Sequence, residues 1–137
     1  MTSEFSVAVH ALVFLNHKGT TYSSEGLAEN ICTNPARIRK VMAKLKKAGL
    51  VETKEGIDGG YHCVENTEEI RLHQIAEALD FVFVSSGWKS GSVEMNCLIA
   101  SGMGGLMEKV YEDLNTQCME RLKKIAIKDL DHEIFKS

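Results

Sequence analysis

Between Asn34 and Gly49 the chain marks out a helix by both its ends and both its faces. Asn34 is a favoured N-cap, Pro35 suits the first turn where its missing N–H costs nothing, and Gly49 can take the left-handed conformation that closes the far end. At about 100° per residue, Ile38, Val41, Met42, Leu45 and Ala48 fall on one arc of about 120°, which must pack against other elements. The opposite face holds Ala36, Arg37, Lys40, Ala43, Lys44 and Lys47, flanked by Arg39 and Lys46. It combines cations with residues small enough for close approach to a surface, and no acid lies between Arg37 and Lys47.

The surrounding pattern places this helix third in a series. Ser6 to His17 is almost wholly apolar and reads as a largely buried first helix; Lys18-Gly19-Thr20-Thr21 ends it. A short second helix opens at Ser23 or Ser24 and runs through Leu27, Ala28 and Ile31. After Gly49, the β-prone runs Leu50–Lys54 and Tyr61–Val64 flank a glycine-rich connection, the pattern of a hairpin. Helix, helix, capped basic helix and hairpin is the order of a winged helix-turn-helix, so the predicted fold is mainly α with one small β-hairpin.

The second half reads differently. Leu72, Ile75, Ala76 and Leu79 predict an amphipathic helix, Phe81–Val84 a strand or buried linker, and Ser85–Ser92 a loop. Met103, Leu106, Met107, Val110, Leu114, Cys118, Leu122 and Ile125 then recur every three or four residues, predicting a helix of about 30 Å or more. A small winged domain cannot cover such a stripe alone. The expected cover is a second copy of the chain, making these eight residues a dimer interface; the alternative is packing within the chain against the first and fourth helices. The predicted organisation is a DNA-binding domain over 1–80, a linker over 81–102, and a dimerisation helix with a short tail over 103–137.

Charge supports an assignment to nucleic acid only when it is read by position. The formal net charge of the 137 residues is −3. Residues 1–67 hold 8 Lys+Arg against 7 Asp+Glu, whereas residues 68–137 hold 8 against 12, and six of the first eight cations lie between Arg37 and Lys47. No apolar run reaches the roughly 18 to 20 residues of a membrane span, and Met1-Thr2-Ser3-Glu4 has no signal character, so a cytoplasmic protein is expected.

Catalytic signatures are missing: there is no GxSxG, HExxH, P-loop or dinucleotide fingerprint, and Gly102-Met103-Gly104-Gly105 lacks the strand and spacing of a nucleotide loop. The expectation is a binding protein, not an enzyme. Cys32, Cys63, Cys97 and Cys118 form no CxxC pair; three read as small core residues, and Cys97, behind a Gly/Ser-rich stretch, is the candidate redox-sensing thiol. His62 and Cys63 are adjacent on a strand and point to opposite faces, so no metal site is expected there.

Thr33-Asn34-Pro35-Ala36-Arg37-Ile38-Arg39-Lys40, Leu45-Lys46-Lys47-Ala48-Gly49-Leu50-Val51 and the wing Gly56-Ile57-Asp58-Gly59-Gly60-Tyr61 resemble the Rrf2 family of bacterial winged-helix regulators. The resemblance continues through Leu72-His73-Gln74-Ile75-Ala76-Glu77-Ala78-Leu79 and a loop with Met95-Asn96-Cys97; the Thr-Asn-Pro helix start is similar to the YwnA-like subgroup. It implies a homodimeric transcription factor, a repressor, bound to a double-stranded DNA operator, with the third helix of each subunit in a major groove and the wing near a minor groove. The DNA-contacting candidates are Ser23, Ser24, Thr33, Asn34, Ala36, Arg37, Arg39, Lys40, Lys44, Lys47, Gly59, Gly60 and Tyr61, with Arg37 and Lys40 assigned to base edges.

Two features depart from the family pattern. Glu55-Gly56 stands where many relatives carry Arg-Gly, placing a carboxylate where phosphate would be repelled. Cluster-binding relatives carry three cysteines in the loop before the dimer helix, where this chain has only Cys97; no iron–sulfur cluster or other cofactor is expected. The alternative from another class is a winged-helix protein-interaction module that has lost DNA binding.

Overall fold

The apolar run at the N-terminus folds as α1 (Glu4–Lys18), closed by Gly19 in the left-handed conformation, whose N–H reaches the Leu15 carbonyl at 2.9 Å. The structure, a computed structural model, describes residues 3–136. α2 (Ser24–Ile31) and α3 (Pro35–Lys47) follow, then the antiparallel pair β1 (Val51–Lys54) and β2 (Gly60–Cys63), a 3-10 turn at Thr67–Glu69 and α4 (Leu72–Ala78). α5 (Leu98–Leu122) and α6 (Ile127–Phe135) complete the order. This is the mainly helical architecture with one hairpin and a long C-terminal helix expected of a winged-helix protein.

The chain divides into two compact units, residues 1–81 with 122–137, and residues 82–121. In the first, Leu12 and Leu15 of α1, Leu27 of α2, Ile38, Met42 and Leu45 of α3, Ile75 of α4 and Ile127 of α6 are fully buried together. Each such side chain contributes about 1.5–3 kcal/mol relative to exposure, so this layer fixes where α3 sits. The hairpin register pairs Val51 with Cys63 and Lys54 with Gly60. Val51 is buried beneath it, and Thr67 donates its hydroxyl to the Val64 carbonyl at 2.8 Å as the chain leaves the wing.

The C-terminal segment departs from the single helix and short tail expected over 103–137. α5 starts earlier, at Leu98, and stops at Leu122; residues 123–126 break the helix. Leu122 and Ile125 are half-buried against the core of the first unit, so Ile125 is not on the helical stripe to which its spacing assigned it. Backbone pairing explains the break: the Leu72 N–H reaches the Ile125 carbonyl and the Ile127 N–H the Ile70 carbonyl, each at 2.9 Å. α6 then packs along α1, and Ala126 and Ile127 are completely buried.

In the second unit, Phe83-Val84 forms no strand. The Asn115 amide of α5 takes the place of a strand partner, accepting from the Val84 N–H at 2.8 Å and donating to the Val84 carbonyl. Leu98, Ile99, Met103, Leu106, Val110 and Leu114 are exposed along α5, Met107 and Cys118 half-exposed. Among the described residues no helix is long and apolar enough to cross a membrane.

Candidate nucleic-acid interface

The local signals around α3 act as their chemistry predicts. The Asn34 side chain accepts from the Arg37 N–H at 2.8 Å, Pro35 occupies the first turn, and Gly49 adopts φ 78°. The Gly49 N–H then reaches the Lys46 carbonyl at 3.0 Å and the Leu50 N–H the Leu45 carbonyl at 2.9 Å, a Schellman closure in which the apolar pair Leu45 and Leu50 is buried. Ile38, Val41, Met42 and Leu45 are buried as the periodicity requires. Ala48 departs from that arc and is exposed, because the helix has already ended there as its C-cap.

The outward face is less free than the sequence of α3 alone implies. Ala36, Arg39, Lys40, Ala43, Lys46 and Lys47 are exposed, whereas Arg37 and Lys44 are half-buried. The Arg37 guanidinium donates to the Ser3 hydroxyl. Glu4, in the first turn of α1, places Oε1 3.2 Å from Lys40 Nζ and Oε2 3.1 Å from Lys44 Nζ. Arg39 lies 3.9 Å from Glu25 of α2. The acids missing from α3 itself are therefore supplied by its neighbours, a correction to the unopposed cationic face expected from local sequence. Hydrogen bonding to Lys44, then to Lys40, together with their charges, holds the Glu4 carboxyl below its ordinary value against the opposing effect of partial burial.

The other candidates occupy three places. Ser23 caps α2, its hydroxyl accepting from the Gly26 N–H at 3.0 Å while remaining exposed. Ser24 is half-buried in the first turn of that helix, and Thr33, also half-buried, lies in the tight turn before α3 with its N–H on the Ala28 carbonyl at 3.0 Å. Tyr22 and Tyr61 pair through their backbones, joining the start of α2 to the wing. Gly60 makes that approach possible: a Cβ there would lie 2.2 Å from the Tyr22 carbonyl oxygen, at φ 150°. Gly59 is likewise hemmed in by the Lys54 carbonyl, and Tyr61 is half-buried on the core, so their visible duty is to shape the wing. At its tip Ile57 is fully exposed between the exposed carboxylates Glu55 and Asp58.

Cys97 is exposed at the start of α5, its thiol held below the ordinary value by hydrogen bonding to the Ala100 and Ile99 backbone. Cys63 is half-buried in β2, where burial pushes its thiol up. Cys32 is exposed at the end of α2, which corrects its expected core role; Cys118 is half-buried on α5.

A family model described as "Rrf2: Iron-dependent Transcriptional regulator" matches residues 1–133. This chain belongs to the Rrf2 family. Among Rrf2 relatives, it is 23% identical over 139 residues to YwnA of Bacillus subtilis strain 168, a protein assigned by name to the HTH-type transcriptional regulators, covering 98% of this chain and 99% of YwnA. In fold it is similar to a crystal structure of a Lactobacillus plantarum protein assigned as a transcriptional regulator, with TM-score 0.85 and 22% identity over 99% of this chain and 92% of that one. It is also similar to IscR of T. potens, with TM-score 0.70 and 19% identity over 98% and 87% of the two chains. The Rrf2 family is one of transcriptional regulators, not enzymes.

The Rrf2 description names iron. Among the described residues no three His, Cys, Asp or Glu side chains are grouped as metal ligands, and the segment before α5 offers the single thiol of Cys97.

Proposed function

We propose that this Rrf2 protein is a sequence-specific DNA-binding transcriptional regulator, a repressor, that acts as a homodimer without a four-ligand iron–sulfur cluster. α3 enters the major groove and the wing lies beside the adjacent backbone. The observation that carries this reading is the division of α3: its apolar arc is locked into the core, and its other side turns Ala36, Arg39, Lys40, Ala43, Lys46 and Lys47 to solvent. Ala36 and Ala43 allow close approach, Arg39 and Lys40 stand in the early turns that reach base edges, and Lys46 and Lys47 suit phosphate. Dimerisation is supported by the exposed stripe Ile99, Met103, Leu106, Val110 and Leu114 on α5, which nothing in its own unit covers.

A gel shift with the duplex upstream of its own gene, repeated at rising salt, tests the assignment. Sequence-dependent binding that weakens linearly in the logarithm of salt supports it. The acidic wing tip with exposed Ile57 favours a second reading, a protein-interaction module, and absence of any duplex binding at low salt would select it.

A further inference from the structure

We propose that Glu4 is a built-in attenuator of DNA affinity: its carboxylate occupies Lys40 and Lys44 as a phosphate would, so the trio offers a duplex one positive charge instead of two. The inference rests on the reading of α3 as the DNA-binding element. The geometry is specific. Each carboxylate oxygen serves one ammonium, Oε1 at 3.2 Å from Lys40 and Oε2 at 3.1 Å from Lys44. The Glu4 side chain is only 15% exposed, whereas those of Lys40 and Lys44 remain 67% and 39% exposed. The anion therefore sits behind the two cations, beneath the face a duplex would meet, and cancels charge without blocking approach.

Glu4 is also the acid of the first turn of α1, where a carboxylate suits the helix dipole. The helix start has no side-chain cap from Ser3, and the neighbouring Arg37 is held separately by the Ser3 hydroxyl. The two ammonium groups hold the Glu4 carboxyl below its ordinary value, so the carboxylate stays charged across the physiological range. Counterion release scales with the phosphates a protein neutralises, at a log–log slope of about −0.9 for each, so removing one compensating anion steepens the salt dependence by about that amount per subunit.

The experiment is a salt titration of the full chain with a labelled mixed-sequence duplex, read by fluorescence anisotropy. Glu4→Gln keeps the shape and removes the charge; Glu133→Gln, on α6, makes the same change in net charge elsewhere. Glu4→Gln is expected to bind about eightfold tighter per subunit at 0.1 M monovalent salt and to steepen the slope by about 0.9, with Glu133→Gln close to the native chain. Three results overturn the inference: Glu4→Gln indistinguishable from native, Glu4→Gln weaker than native, which would make Glu4 a positioning residue for the lysines, or Glu133→Gln matching Glu4→Gln. If neither the native chain nor Glu4→Gln binds any duplex at low salt, the DNA-binding reading itself fails. Circular dichroism of each variant confirms that the helices are retained.

Discussion

Tyr22 and Tyr61 exchange two backbone hydrogen bonds, 3.0 Å from the Tyr22 N–H and 2.8 Å from the Tyr61 N–H, so the wing is tied to the entrance of α2 as a third short strand. The Phe14 ring meets Tyr22 edge-on at 4.7 Å, anchoring that strand on α1. Gly60→Ala would drive a methyl group into the Tyr22 carbonyl. The expected loss is on the order of 2 kcal/mol in urea denaturation, with fast amide exchange at Tyr22 and Tyr61. A midpoint equal to that of the native chain would show that the tie contributes nothing.

The cap of α3 is a separable element. Asn34→Ala removes the acceptor for the Arg37 N–H and should cost about 1 kcal/mol, while Asn34→Asp, which can accept the same bond, should stay close to the native stability. If both substitutions cost the same, the measured loss is not that of the cap.

How much of this was legible in the residues follows from the range of each interaction. α3 was readable in all but Ala48 because its cap, its first-turn proline, its closing glycine and the rest of its apolar arc act within one helix. Its charge state was not, because Glu4 reaches Lys44 across 40 positions and no local pattern pairs them. α6 was missed because Leu122 and Ile125 continue the spacing of α5, so periodicity runs through the break. The signal that could have shown it is Asp129, whose carboxylate accepts from the Ala126 N–H at 2.8 Å three residues earlier, a cap at a new helix start. Of the two readings of Phe81–Val84, strand or buried linker, the segment is a linker, half-buried except at Val82, in which Asn115 satisfies the Val84 backbone from 31 positions away.

Glu4 also gives a pH signature. Its carboxyl is held below the usual carboxylate range in the folded chain, so its stabilising effect is complete above that range and lost as pH falls through the lowered one. Because Lys40 is exposed and Lys44 only half-buried, solvent screens the pairing and the contribution is about 0–1 kcal/mol. The stability gap between the native chain and Glu4→Gln should therefore be small near neutrality and vanish in acid; a gap that widens as pH falls would contradict the pairing.

The cations of α3 are not paired alike. Lys47 has no carboxylate within ion-pair reach among the described residues, whereas Lys44 shares Glu4 with Lys40. Lys47→Ala should flatten the log–log salt dependence of duplex binding by about 0.9, and Lys44→Ala by the same amount, since it leaves Lys40 neutralised by Glu4 where the trio had offered one charge. If adding Glu4→Gln to the Lys44→Ala chain does not steepen the dependence again, the Glu4 pairing with Lys40 does not persist in solution.

The stripe on α5 supplies the last test. A 25-residue helix extends about 37 Å, and Leu106, Val110 and Leu114 stand exposed on successive turns of it. Burying each leucine would contribute about 1.5–3 kcal/mol, an amount that a monomer leaves unused and a two-fold pair of subunits gains twice. Leu106→Ser with Leu114→Ser should therefore shift sedimentation equilibrium from dimer toward monomer, raising the dissociation constant by at least about tenfold, while the core around Leu12, Ile38 and Ile127 keeps its cooperative unfolding. Weakened self-association with an intact core would also lower operator affinity more than mixed-sequence affinity, because two linked recognition helices multiply their effective concentration at paired half-sites and a single one cannot. A native chain that sediments as a monomer at every concentration would remove the second subunit from this account.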